Sequence, residues 1–219
     1  MKKFILVVTI FLLGFASVYS QQAGKITLGL RGGVQIGIHE AGEDFKAWST
    51  ANHRTVEGLP AGNIVVYGGY NFTNYIGLQT ELSFSLGQGL KSKYDSDHWV
   101  NMTYSSLDIP LLFRVNFLPE SEFHLGILGG PYFTTPLGKV STKYKNYTSS
   151  DQENDITTPN MGMAIGLVGG PNLGGIGNFY MDIRYITDFG ESKEKLSNGY
   201  FKFMTRRGIV ISAGLEIYI

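Results

Sequence analysis

Seven charged side chains fall on one face of alternating segments: Arg31, Glu81, Asp108, Arg114, Asp182, Arg184 and Glu216. Carboxylates and guanidiniums gathered in one space can do two things. They pair and seal the space, or they line a narrow path for ions. A buried charge is tolerable only when it is paired. The near balance of sign reads as a lumen plugged by ion pairs, with a narrow ion pathway as the functional alternative. Asp108 and Arg114 share a face of one segment, and Asp182 and Arg184 are neighbours on another. Arg31 and Glu216 lie on the first and last segments, which a closed sheet must bring together.

Acid–base chemistry is the second candidate. His39, His53 and His98 fall in polar stretches with Asp44, Glu57, Asp95 and Asp97 near them in sequence. A His–Ser or His–Asp set at the rim of a barrel would suit lipid acylation or hydrolysis. No spacing here matches a catalytic motif, so these residues read as solvated loop positions. His124 lies on the charged face and reads as an interior histidine. Paired histidines at ligand spacing are missing, and the acidic run Asp151–Asp155 lacks the calcium-loop pattern, so no metal and no cofactor are expected.

The elements that must position the charges are strands. In Ser106–Phe117 the odd positions Leu107, Ile109, Leu111, Phe113, Val115 and Phe117 are all apolar. The even positions carry Ser106, Asp108, Pro110, Leu112, Arg114 and Asn116. Successive side chains on a strand point to opposite faces, so one face is oily and the other mixed and charged. Pro110 removes a backbone donor in mid-strand, which predicts a local bulge. The same alternation recurs in Lys25–Gly37, Asn63–Phe72, Tyr75–Gly87, Glu122–Thr134, Asn160–Gly170, Asn178–Phe189 and Arg207–Ile219. Connections alternate between long and short. His39–Pro60, Lys91–Val100, Pro136–Pro159 and Gly190–Gly199 read as polar loops; Thr73-Asn74, Leu118–Ser121 and Pro171–Gly177 read as turns.

The two faces separate two kinds of barrel. A soluble lipocalin-like barrel puts its apolar face inside. Here the apolar face is bulky Leu, Ile and Phe, too large for an eight-stranded lumen, while the opposite face is rich in Gly and Ser and carries the charges. Tyr70, Phe72, Phe117, Phe123, Phe179 and Phe189 near strand ends resemble an interfacial girdle. The reading is an all-β, eight-stranded antiparallel up-and-down transmembrane β-barrel in the outer membrane, its oily face meeting lipid and its long loops outside the cell.

Composition agrees. The chain has 219 residues, 43% hydrophobic, 16% charged, with 29 Gly and no Cys. Charge is low against the quarter usual in soluble domains. A net charge of zero gives no reason to expect nucleic acid. The lack of Cys excludes disulfides, thiolate metal sites and a Cys nucleophile. Residues 1–20 read as a cleaved signal peptide: basic Lys2-Lys3, an apolar run Phe4–Phe15, and a small-residue end at Ser20 before Gln21. That run is about 12 residues, short of the roughly 20 a membrane helix needs. Residues 21–219 are then the barrel domain.

Leu107-Asp-Ile-Pro-Leu-Leu-Phe-Arg114 resembles the "L-E/D-I-P-L-L" strand of PorT-type outer-membrane β-barrels of Bacteroidetes. Leu28-Gly-Leu-Arg-Gly-Gly-Val34 is similar to that family's first strand, and Gly214-Leu-Glu-Ile-Tyr-Ile219 to the C-terminal signal read by the barrel-assembly machinery, with the aromatic at Tyr218 in place of the last residue. The resemblance implies a non-enzymatic envelope protein that meets outer-membrane lipid, is folded by the barrel-assembly machinery and acts as a monomer. It implies a secretion-system or extracellular partner met through the loops. A surface adhesin and a lipid-modifying enzyme are the alternatives.

Overall fold

The computed structural model describes residues 24–219, apart from 96, 119–120, 147–150, 159–160, 174–175 and 197–198. The expected signal peptide lies outside the described residues. So do Pro119 of one short turn and the 147–150 centre of the expected loop Pro136–Pro159.

In chain order the elements are β1 (Ile26–Gly37), β2 (Glu40–Ala41), α1 (Glu43–Ala51), β3 (Thr55–Leu59), β4 (Ala61–Asn71), β5 (Ile76–Lys93), β6 (Trp99–Asn116) and β7 (Phe123–Lys145). There follow β8 (Gln152–Asn154), β9 (Ile156–Thr157), β10 (Met161–Pro171), β11 (Gly177–Asp188), β12 (Ser192–Leu196), β13 (Gly199–Thr205) and β14 (Arg207–Tyr218). Eight of these close a ring in the order β1, β4, β5, β6, β7, β10, β11, β14. Every neighbour is antiparallel, and β14 returns to β1 with Arg31 opposite Gly214 and Gly29 opposite Glu216. The fold is the antiparallel, up-and-down, eight-stranded barrel that the alternation predicts.

The face assignment also holds. On β1, Thr27, Arg31 and Gln35 are buried while Ile26, Leu30, Val34 and Ile36 are exposed. On β10 and β11 the outermost side chains are Ile165, 63% exposed, and Ile183, 56% exposed. A barrel built to sit in water would reverse this pattern, which rules out the lipocalin-like arrangement. On the short-turn side, Phe72, Tyr75, Phe117 and Phe123 are exposed around the rim, as an aromatic girdle at a lipid–water boundary would be.

One expectation changes inside the wall. Pro110 causes no register shift: Thr80 pairs with Leu111 and Ser83 with Asp108 in one continuous register across it. The slip lies between Ser85 and Gln88 instead. Gly87 sits there at φ +76, a left-handed conformation that glycine adopts without a Cβ clash. The bulge restores Gln88, Leu90 and Ser92 to the inner face after two exposed residues. A second shift falls between Thr103 and Ser105.

Among the described residues, the expected outer loops hold secondary structure. β5 and β6 run on past the predicted loop Lys91–Val100, so only a tight hairpin separates Lys93 from Trp99. β7 runs on to Lys145, through the first part of the predicted loop Pro136–Pro159. Residues 39–60 hold β2, α1 and β3, and Gly190–Gly199 holds β12. A helix of nine residues was not anticipated. Its acidic first turn, Glu43 and Asp44, complements the helix dipole. A second sheet, β2-β13-β12-β9, closes over the long-loop end. β2 and β9 have two residues each, too short to show a period, whereas β12 and β13 have five and seven.

The molecule therefore has two cores. Inside the barrel, Val65, Leu112, Leu128, Val168, Tyr180 and Val210 form an apolar belt among the charges. Above it, Phe45, Leu90, Met102, Tyr104, Val140, Phe203 and Met204 pack between the raised ends of β5–β7 and the cap.

Candidate functional site

The inward charges form three tiers. In the middle, Arg31 donates to Glu81 at 2.6 Å and meets Asp182 at 2.9 Å. Arg184 donates to Glu81 at 2.8 Å and to Asp182 at 2.8 Å. Two guanidiniums thus share two carboxylates, and Gln79 and Ser212 add donors to the same acids. Nearer the short-turn end, Arg114 forms a fork with Glu216 at 2.7 and 3.3 Å, and Asn178 donates to Glu216 and to the Tyr218 hydroxyl. Nearer the cap, Arg206 reaches Asp108 at 2.9 Å and Asp188 at 3.0 Å. The Tyr132 hydroxyl donates to Asp188 at 2.5 Å.

Aromatic rings tie the tiers together. The Tyr180 ring lies 5.3 Å from the guanidinium carbons of both Arg31 and Arg114. Tyr132 lies 5.1 Å below Arg206. These rings fit because small residues face them. A Cβ on Gly29 would stand 2.1 Å from the Tyr67 ring, and one on Gly162 would stand 2.3 Å from Tyr132. The space left in the lumen beside Arg31, Asn63, Asp108 and Arg184 is about 20 Å³, enough for about one water.

All seven expected lumen charges are therefore inside and paired, but they pair differently from the sequence reading. Asp182 and Arg184 do meet. Asp108 and Arg114 do not: six residues of strand separate them by about 20 Å, and each finds another partner. Arg31 and Glu216 lie on paired strands yet in different tiers. Arg206 was missed, although it is fully buried. The signal was present. Gly208, Val210, Ser212, Gly214, Glu216 and Tyr218 are the inward positions of the last strand, and Arg206 continues their parity.

The second region is the cap. A cavity of about 400 Å³ opens between α1, the raised ends of β6 and β7, and β12–β13. Its apolar walls are Phe45, Trp48, Val100, Met102, Leu196 and Phe201. Phe45 packs on Trp48 at 5.5 Å and edge-on to Phe201 at 6.2 Å. Arg54 lies over the Trp48 ring at 4.5 Å. Glu194 also lines the cavity and accepts a hydrogen bond from Asn154 at 2.5 Å. Burial holds the Glu194 carboxyl above the usual carboxylate range, against the smaller pull of the Asn154 hydrogen bond.

The family described as "Outer membrane protein beta-barrel domain" matches residues 15–193. The chain belongs to this family. Among solved structures, this outer-membrane barrel is similar to the outer membrane protein OprG from Pseudomonas aeruginosa. The TM-score is 0.62 at 11% identity, covering 93% of this chain and 99% of OprG. It is also similar to Neisserial surface protein A, with a TM-score of 0.53 at 10% identity, covering 90% of this chain and 99% of that one. At such identities the likeness concerns the fold alone. No curated protein matches the sequence.

Among the described residues, the histidines of this barrel meet different partners. His39 accepts a hydrogen bond on Nδ1 from the Arg207 backbone at 3.2 Å, whereas Asp44 accepts from the Lys202 backbone. His98 meets Asp95 at 2.9 Å on the exposed β5–β6 hairpin, a turn-forming contact, since Asp95 also accepts from the backbone of Asp97 and His98. Glu57 pairs with Lys93 and Asp97 with Lys145. His124 is buried in the lumen, its ring 6.0 Å from Tyr180. Among the described residues, no three potential metal ligands cluster.

Proposed function

We propose that this protein is a non-enzymatic binding barrel of the outer membrane: a sealed, non-conducting wall that carries a folded recognition cap. The single observation that carries this reading is the contrast in filling. The lumen is packed with paired charges down to about 20 Å³, while the cap keeps a lined cavity of about 400 Å³. Arg31, Glu81, Asp108, Arg114, Asp182, Arg184 and Glu216 act in this proposal as structural groups that hold the wall. No cofactor is required.

Barrels of this kind keep short turns in the periplasm and long connections outside the cell, so the cap faces outward. The chain reaches the membrane by way of a signal peptide cleaved after Ser20, is inserted by the barrel-assembly machinery and works as a monomer in outer-membrane lipid. The motif around Leu107–Arg114 and its resemblance to PorT-type barrels support a role as an accessory of protein secretion in Bacteroidetes. In that role the cap meets the secretion-system or extracellular partner.

The test is a deletion strain complemented in two ways, with the full chain and with a chain whose 192–205 segment is replaced by a short turn. Cargo secretion should fall on deletion. It should return with the full chain and stay low with the trimmed one, which still shifts on a heat-modifiability gel. Full rescue by the trimmed chain would overturn the cap as the recognition element. Unchanged secretion on deletion would overturn the accessory role.

A further inference from the structure

The geometry points to the cap cavity as a binding site for a small organic amine: a molecule with an aromatic or aliphatic body and one protonated nitrogen, seated with that nitrogen against Glu194. The inference deepens the recognition role proposed for the cap and rests on it.

The charge pattern supplies the argument. Six carboxylate residues are buried among the described residues: Glu81, Asp108, Asp182, Asp188, Glu194 and Glu216. Five of them hold a guanidinium within 3.0 Å. Glu194 is the exception. Among the described residues, no Lys or Arg reaches it at ion-pair distance, and Asn154 offers only a neutral amide. Its strand neighbours Lys193 and Lys195 alternate away to the other face, as a pleated strand requires. A buried carboxylate without a cation is costly, and the rest of this molecule avoids that cost by pairing. A ligand ammonium would complete the pattern at Glu194.

The walls specify the rest of the ligand. A volume of about 400 Å³ is within the range of small-molecule sites. Phe45 is nearly fully buried and fixed by two ring contacts, so the aromatic side is formed in advance. Val100, Met102 and Leu196 supply the aliphatic side. Met adapts to ligands of different outline. Arg54 also lines the cavity and lies over the Trp48 ring, so the side that lacks a cation is the one at Glu194. An anion seated on the Glu194 side would meet that carboxylate, and only the Arg54 side of the cavity offers a positive charge.

Purified full-length protein in nanodiscs is titrated calorimetrically with tryptamine and with indole-3-propionate. These two probes share the indole body and differ in the charge at the end of the chain. Tryptamine should bind at least tenfold more tightly than the acid. Glu194→Gln, which keeps the acceptor for Asn154, should reduce tryptamine affinity at least tenfold, and Lys193→Gln on the opposite face should leave it unchanged. Phe201→Ala should weaken both probes. Equal binding of the two probes, preference for the acid, or an unaffected Glu194→Gln variant would each overturn the proposal, as would no tryptamine binding at millimolar concentration. Because this experiment needs no cargo, its failure alone would remove the amine assignment. Rescue of secretion by the trimmed chain would remove the recognition cap itself.

Discussion

The lumen and the cap handle buried charge in opposite ways. Four guanidiniums and five carboxylates in the lumen are interlocked, with Glu81 accepting from both Arg31 and Arg184 and Arg206 joining Asp108 to Asp188. The cap buries one carboxylate, Glu194, beside a cavity, with an amide for company. The difference follows from what surrounds each region. A narrow, packed lumen leaves its inward charges little solvent, so each buried carboxylate there is paired with a guanidinium. The cap stands at the mouth, where, in the proposed reading, an arriving molecule supplies a partner. Ion pairing of every buried carboxylate marks the lumen, and the proposed receptive region is the one where a buried carboxylate has only an amide beside it.

The strongest way to break this comparison is to unpair the lumen. Glu81→Ala strips the shared acceptor from two buried guanidiniums and should destabilise the barrel by about 3–5 kcal/mol. The measurement is the temperature at which the folded band is lost on a heat-modifiability gel. An unshifted transition would mean that the middle tier carries no stability.

Cutting the cap core should act locally. Phe203 is buried beneath the cap and packs edge-on to Tyr104 at 5.9 Å. Phe203→Ala should cost roughly 3 kcal/mol, seen as faster proteolysis of 192–205 while the barrel band stays unshifted. Loss of both together would show one cooperative unit and erase the distinction between the two regions.

Acid should loosen the cap before the wall. Burial, and then the nearby Arg206 charge, hold His39 down to about 4 from an ordinary 6.5. Its Nδ1 accepts the Arg207 backbone hydrogen, so the folded state keeps the ring neutral. Between about pH 6.5 and pH 4 the unfolded chain therefore binds the extra proton. The stability due to neutral His39 is full above 6.5 and falls as pH drops toward 4. The effect is on the order of 1 kcal/mol after allowance for solvent screening. His39→Gln should flatten the pH dependence of cap proteolysis across that window.

At the surface the expected effect is smallest. Glu57→Ala removes an exposed partner of Lys93 between β3 and β5 and should change stability by less than about 1 kcal/mol.

Sequence alone reveals the wall and hides the cap, for one physical reason. A strand with lipid on one side and packed charge on the other must alternate at every residue. Ile26 to Ile36 and Leu107 to Val115 therefore announce both the fold and the direction of each side chain. Parity even places Arg206 inside, although a strand boundary drawn at Arg207 conceals it. The pattern fails where the two sides become alike. Past Gly87 a bulge shifts the parity of β5, and the half-buried Lys91 and Lys93 there meet Trp99 and Glu57, so a continuing strand looks like a charged loop. The cap sheet joins β2 to β13 and β12 to β9 through two residue pairs each. Such pairings depend on distant segments meeting, which no local period records. The pairing of charges is hidden for the same reason. Alternation says that Asp108 and Glu216 face inward, but only the ring order and register say that Arg206 and Arg114 meet them.

The most direct measurement is single-channel recording of the purified protein in a planar bilayer, beside Arg206→Ala. A sealed lumen predicts no steady conductance for the natural chain across the physiological voltage range. It predicts intermittent or open-state current only when the tier of Arg206, Asp108 and Asp188 is taken apart. A steady ohmic conductance in the natural chain would contradict the account. The inward charges would then line a path, and the contrast between a filled wall and a receptive cap would no longer hold.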